Sequence, residues 1–198
     1  MNYLIVSLLW IGYCLIHSLL ISIRFTKYIA NLLKYYYAFY RLFYVLISLV
    51  LLIPLINYTS QIDRIVIISY NFPWSIVRNV FMYGSLLMFF WAFFFSYDPL
   101  SFFGIRQILN FKRSDEKNSA IDIKQKGLLG VVRHPMYLAL IIYLWMQTFR
   151  VVDIIVNSIL TIYVVIGTLL EEKKLINEFG ESYKQYQKRV PTLIPFTK

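Results

Sequence analysis

Residues 136–170 read MYLALIIYLWMQTFRVVDIIVNSILTIYVVIGTLL: two uncharged apolar runs, Met136 to Phe149 and Ile154 to Leu170, joined by a short stretch carrying Arg150 and Asp153. So brief a polar join predicts a helical hairpin dipping through a bilayer, because a helix satisfies its own backbone groups where no water can. At about 1.5 Å per residue, the first run descends about 21 Å and the second climbs about 26 Å. The two outer ends therefore return to a similar depth, and Arg133, His134 and Tyr137 are expected beside Glu171 and Glu172.

Working outward, three further stretches lack charge over comparable lengths: Tyr3 to Ile23, Leu42 to Tyr58 and Asn79 to Tyr97. With 59% hydrophobic and 15% charged residues, the chain is far more apolar than a soluble domain. The expected fold class is an all-α integral membrane helical bundle of about five transmembrane helices. The last two form the hairpin, and an amphipathic cytoplasmic helix follows them. No repeat or Gly/Ser-rich linker divides the chain, so one domain over 1–198 is expected. Within it, residues 1–97 form a three-helix part and 98–198 the part bearing the ligand site.

The first apolar segment lacks a basic leader and a small-x-small cleavage site, so it is expected to stay on the mature protein. The segment from Gln61 to Trp74 is expected to be an interfacial loop or short helix. Asp98-Pro99 reads as a helix start leading into a surface-lying segment from Phe102 to Leu109. Arg113 to Ser119 is polar and expected to be mobile.

The net charge of +10 follows the membrane rather than a nucleic-acid surface. Seventeen basic residues flank the spans on one side and three, Arg64, Arg78 and Arg150, on the other. That bias places the N-terminus outside and the C-terminus in the cytoplasm, with most of the positive charge facing anionic lipid heads. The single cysteine, Cys14, lies in an apolar helix and excludes an intrachain disulfide or a cysteine-based metal cluster. No metal site is expected, and no nucleic-acid partner.

The stretch VVRHPMY at 131–137 concentrates polar chemistry at the mouth of the hairpin. Pro135 suits the first turn of a helix, where its missing donor costs nothing, leaving His134 near the N-cap and Arg133 just outside. A helix N-terminus with a guanidinium and an imidazole attracts an anion. Tyr137, one turn in, shares their face. On the returning helix, Asn157, Thr161, Thr168 and Glu172 form a polar stripe, and polar residues at membrane depth face protein or a cavity. Cations on one wall and carboxylates on the other suit a zwitterion such as the amino-acid part of a cofactor. The alternative is a plain Arg–Glu ion pair with interhelical hydrogen bonds.

The run from Gly127 through Arg133-His134-Pro135-Met136-Tyr137 is followed by Glu171-Glu172, Phe179-Gly180-Glu181-Ser182-Tyr183, Tyr186 and Val190-Pro191. This order resembles the integral-membrane methyltransferases typified by isoprenylcysteine carboxyl methyltransferase. His17-Ser18, Tyr40-Arg41 and Phe103-Gly104-Ile105-Arg106-Gln107 look like the bacterial methanethiol S-methyltransferase and NnrU-like branch. The resemblance implies S-adenosylmethionine bound by Arg133, His134, Pro135, Tyr137 and Glu171 at the cytoplasmic face. It also implies a small or lipophilic thiol as methyl acceptor, and residence in a bacterial cytoplasmic membrane. Gly167 stands where the carboxyl methyltransferases place a substrate-contacting arginine, Ile121 where they have a histidine and Leu129 where they have a tyrosine; these departures weigh against a carboxylate substrate.

Methyl transfer to sulfur needs alignment, exclusion of water and loss of the thiol proton. Arg41 and His17 are the residues expected to favour the thiolate, with His17 on the substrate side, and Glu172 is the candidate proton acceptor. Three alternatives stand beside this reading: a haem-binding NnrU-like redox or isomerase protein using His17 or His134, a carboxyl or phospholipid methyltransferase, and a non-enzymatic membrane scaffold.

Overall fold

A computed structural model describes residues 2–63, 65–110, 127–195 and 197. Arg64, Ile121 and the polar stretch 113–119 lie outside the described residues. Nine α-helices follow one another among the described residues: α1 Asn2–Ile21, α2 Ile23–Leu33, α3 Tyr40–Ile62, α4 Trp74–Trp91, α5 Pro99–Phe102, α6 Ile105–Leu109, α7 Pro135–Trp145, α8 Val151–Phe179 and α9 Glu181–Arg189. Short 3-10 helices at Lys34–Phe39 and Gly127–Gly130 and a π-helical turn at Ala92–Ser96 complete them. The fold is the expected all-α membrane bundle.

Four helical stretches are long and apolar enough to cross a membrane: Asn2–Ile21, Ile23–Ile62, Trp74–Ser96 and Val151–Phe179. The fourth span expected from the sequence is shorter than its apolar run, because α7 stops at Trp145 after 11 residues. At 1.5 Å per residue that is about 16 Å, roughly half the hydrocarbon thickness. Residues after Trp145 leave the helix for another partner. The Phe149 carbonyl accepts from Ile67 N–H at 2.8 Å, and Phe149 N–H donates to Ile68 at 3.0 Å. This antiparallel bridge also makes part of the segment between Gln61 and Trp74 extended, instead of the loop or short helix expected there.

The chain forms two compact units. One comprises Met1–Val66, Pro99–Ser119 and Arg150–Ile159, the other Ile67–Asp98, Ala120–Phe149 and Leu160–Lys198. In the first, α1 packs on α3. The Trp10 indole donates to the Thr59 hydroxyl at 3.0 Å, and that hydroxyl donates in turn to the Leu55 carbonyl at 2.8 Å. The indole and hydroxyl hydrogens are thus satisfied without water. Leu4, Leu8 and Leu15 on α1 are more than half exposed, as a lipid-facing stripe requires. The apolar run that opens the chain breaks at Ser22, whose extended backbone and hydroxyl, accepting from Phe25 N–H at 3.3 Å, start α2. In the same unit, Arg150 pairs with Asp153 at 2.6 Å and donates to the Ser60 and Asp63 carbonyls at 3.1 and 3.0 Å.

The surface segment expected from Phe102 to Leu109 is two short helices, broken at Gly104. This residue sits at φ +79°, and a Cβ placed on it meets Arg41 Cβ at 2.8 Å and the Leu42 backbone nitrogen at 3.0 Å. Arg41 runs on past the glycine to donate its Nε hydrogen to the Phe102 carbonyl at 3.0 Å. Both the left-handed conformation and the close approach demand glycine. Gly104→Ala is expected to cost about 1–3 kcal/mol, read as a lower apparent melting temperature in detergent. An unchanged melting temperature contradicts this packing.

In the second unit α4 packs along α7, and Arg78 of α4 caps the end of α7 by donating to the Met146 carbonyl at 2.9 Å. On α8, Thr161 accepts from the Trp145 indole of α7 at 2.9 Å, and Thr168 is 1% exposed. These contacts set α7 and the second half of α8 side by side, as the hairpin reading requires.

Candidate functional site

Pro135 opens α7 at its first position, and His134 stands just before it at φ −124°, ψ 64°. A residue preceding proline is driven out of the helical region by the ring, so the imidazole leaves the helix axis at this point. The backbone N–H groups of Arg133 and His134 donate to the carbonyls of Pro191 and Thr192 at 2.9 and 3.1 Å. Residues 190–192 therefore run against the turn and take up two donors that the sequence alone left open.

The Arg133 side chain is 6% exposed, and every one of its N–H donors is used. Nε and Nη2 grip the two oxygens of Glu172 at 2.9 and 2.7 Å, the side-on bidentate geometry that suits a carboxylate. Nη2 also donates to the Thr192 hydroxyl at 2.6 Å, while Nη1 donates to the carbonyls of Gln187, at 3.2 Å, and Val190. This guanidinium, expected from the sequence to face a ligand, joins its own turn to α8, α9 and the stretch after α9.

Glu172 is equally committed. Its Oε1 accepts from Arg133, from His134 Nε2 at 2.8 Å and from the Tyr183 hydroxyl at 2.8 Å. Its Oε2 accepts from Arg133 and from the Gln187 amide at 2.5 Å. A carboxylate offers about four lone-pair positions, and five donors leave none open.

Helix α9 supplies two of those donors because its sequence is amphipathic. Tyr183 and Tyr186 are buried at 3% each on one face, and Lys184, Lys188 and Arg189 are exposed on the other. Both phenols remain donors at neutral pH. Burial pushes Tyr186 up to about 12, and burial followed by the bond and charge of Glu172 pushes Tyr183 well above the usual phenol range. The Tyr186 hydroxyl donates to the Leu129 carbonyl at 2.5 Å, tying the Gly127–Gly130 turn to the same core.

Glu171 differs from its neighbour. Its side chain is 37% exposed. Oε2 accepts from the Tyr137 hydroxyl at 2.8 Å and lies 3.8 Å from His134 Nδ1. Oε1 accepts nothing among the described residues. The rings of His134 and Tyr137 stack with centroids 5.5 Å apart and planes 6° apart, so a flat wall leads up to this carboxylate. Tyr97, following the π-helical turn, belongs to the same surroundings: burial raises its phenol, and the charge of Glu171 raises it further.

Arg133, His134, Pro135, Tyr137, Glu171 and Glu172 thus come together in the second unit. His17 and Arg41 belong to the first. There His17 lies between the rings of Tyr13 and Tyr44, with centroids 6.1 and 6.4 Å away, and Arg41 packs on Gly104. Sequence reasoning gave no role to Tyr97, Gln187 or Thr192. The signal for Gln187 was available, since it lies four residues after Tyr183 on the buried side of α9. Among the described residues, no group of three or more His, Cys, Asp or Glu could hold a metal ion.

No family model matches the chain, and no solved structure does. It is similar to methanethiol S-methyltransferases of bacteria. It is 33% identical over 154 residues to that of Pseudomonas deceptionensis, covering 77% of this chain and 58% of that protein. With the one from Crocosphaera subtropica it shares 35% identity over 95 residues, 48% of this chain and 37% of the relative. With methanethiol S-methyltransferase 1 of Bradyrhizobium diazoefficiens it shares 35% over 97 residues, 48% and 34% of the two chains. The chain therefore spans little more than half the length of the relatives it matches, or less. These similarities bear out the methyltransferase resemblance carried by its motifs.

Proposed function

We propose that this relative of the methanethiol S-methyltransferases is an S-adenosylmethionine-dependent membrane enzyme that methylates the sulfur of a small or lipophilic thiol. The observation that carries the reading is the contrast at the acidic pair: Glu172 is enclosed by five donors, whereas Glu171 presents a free carboxylate oxygen beside Tyr137 and His134. A free carboxylate at the edge of a buried polar core receives an ammonium group.

The residues fit the amino-acid end of that cofactor. Glu171 would take its ammonium. The first-turn N–H groups of α7, which a helix cannot pair internally, would take its carboxylate. The stacked rings of His134 and Tyr137 would line the space between. Arg133, Glu172 and Pro135 would hold this arrangement as a frame. Once bound, S-adenosylmethionine supplies an electrophilic methyl group on a sulfonium. The chain's own task is to orient that group, exclude water and receive the thiol proton.

The acceptor-side roles of His17 and Arg41 rest on the resemblance of the HS, YR and FGIRQ elements to the thiol-methylating branch. The lack of charge at Gly167, where carboxyl methyltransferases carry an arginine, supports a neutral acceptor over a carboxylate. The basic-residue bias supports a cofactor entrance on the cytoplasmic side, and the resemblance to the bacterial branch supports a bacterial cytoplasmic membrane.

Calorimetry of the detergent-purified protein with S-adenosylmethionine, together with transfer of a radiolabelled methyl group to simple alkanethiols, tests the proposal. Saturable binding and a volatile labelled thioether are expected. A stoichiometric Soret band with no cofactor binding would replace it by the haem reading.

A further inference from the structure

We infer that His134 is the proton acceptor for the thiol, with Glu172 fixing its tautomer. The inference rests on the methyltransferase reading above and concerns the same site. Glu172 offers only acceptor oxygens to its neighbours, so the imidazole hydrogen shared with it must sit on His134 Nε2, at 2.8 Å. Nδ1 is then the basic nitrogen. It makes no hydrogen bond among the described residues, and the atom opposite it is Glu171 Oε2 at 3.8 Å.

An imidazole whose bonded nitrogen is clamped by a carboxylate, and whose other nitrogen makes no hydrogen bond, is the arrangement histidine has in catalytic triads. Glu172 cannot take the proton in its place, because its two oxygens already accept from Arg133, His134, Tyr183 and Gln187. The role of proton acceptor, which the sequence suggested for Glu172, passes to His134 in this proposal. The charged and titratable groups around the ring are Glu171 and Glu172 on α8, and Arg133 and Tyr137 beside it on its own segment. The two carboxylates stabilise the imidazolium once formed, and Tyr183, on α9, acts through Glu172.

The step balances within the site. The thiol hydrogen passes to Nδ1 as the thiol sulfur bonds the methyl carbon. The bond from that carbon to the sulfonium sulfur breaks, and its electron pair stays on the departing thioether. Nδ1 afterwards releases the proton to water. No other reactant is required.

The test is His134→Gln, whose side-chain amide can still donate to Glu172 but carries no basic nitrogen. Methylation rates of wild type and variant are compared at neutral pH over thiols of graded acidity, from alkanethiols to thiophenols ionised at the assay pH. Donor affinity is measured in parallel by calorimetry. The expected defect is about 100-fold or more for alkanethiols, the usual scale of general-base catalysis. It should shrink to within a few-fold for the ionised thiols, with every rate taken at a donor concentration that the calorimetry shows to be saturating for that protein.

A defect of equal size across the series overturns the assignment, as does full activity on alkanethiols. If the glutamine variant fails to bind the donor, His134→Asn is the second variant. Loss of donor binding in both makes His134 a donor-binding residue and overturns the assignment too. A wild-type protein that binds the donor but methylates no thiol removes the functional reading itself, and the inference with it.

Discussion

Replacing Arg133 with methionine is expected to lower the apparent unfolding temperature of the detergent-solubilised protein by roughly 10 °C. The substitution keeps the volume of the stem but removes every charged donor from a nearly enclosed site. Glu172, whose side chain is 8% exposed, would keep its negative charge with no guanidinium to balance it. Breaking a buried pair by removing one partner typically costs about 3–5 kcal/mol, and for a chain of this size each kcal/mol corresponds to about 2–4 °C. The carbonyls of Gln187 and Val190 and the Thr192 hydroxyl lose their donor as well. The segment after α9 should therefore loosen before the helices do. Limited trypsin digestion reads this separately, as faster cleavage after Lys184, Lys188 and Arg189 with the membrane helices still protected. A variant with wild-type melting and wild-type protection would show that the guanidinium is not the structural tie described above, and would return it to the ligand.

Glu171→Gln is the second large effect, and it is the opposite in kind. The fold should persist, because the glutamine can still accept from Tyr137, and the other described neighbour of the carboxylate, His134 Nδ1, is 3.8 Å away and keeps its bond to Glu172 through Nε2. What goes is the charge available to an ammonium. Hydrogen bonds to charged groups contribute about 1.5–3 kcal/mol, and partial exposure places this one at the lower end. The expected outcome is S-adenosylmethionine binding weakened roughly tenfold to thirtyfold, with the melting temperature of the ligand-free protein unchanged. Undiminished affinity in this variant removes Glu171 from the donor site and leaves the division of labour between the two acids without support.

Much of this arrangement was legible in the sequence because its signals are local or periodic. The hairpin followed from two apolar runs with a short join, and that alone brought residues 133–137 to Glu171 and Glu172. The polar stripe of Asn157, Thr161, Thr168 and Glu172 also pointed Glu172 inward, and adjacent residues on a helix point about 100° apart, which turns Glu171 away. How fully Glu172 is enclosed was hidden, because Tyr183 and Gln187 reach it only through the placement of α9. The spent state of Arg133 was equally hidden. Its partners Gln187, Val190 and Thr192 lie more than 50 residues away and contribute mainly backbone carbonyls, which carry no residue signature. The early end of α7 was invisible for a similar reason, since Phe149 pairs through its backbone with Ile67 and Ile68, and hydropathy reports nothing about backbone pairing.

The way residues 183–192 close around Arg133 and Glu172 bears on biosynthesis. Membrane helices insert in order as they leave the ribosome, yet the acidic hub gains its phenol and amide donors, and the guanidinium its carbonyls, only when this later stretch has been made. A nascent chain halted before Tyr183 would carry the whole hairpin with its charged pair half-solvated and the corner unformed. The buried frame behind Glu171 and the stacked rings of His134 and Tyr137 is thus completed in one late step, after the hairpin itself has been made.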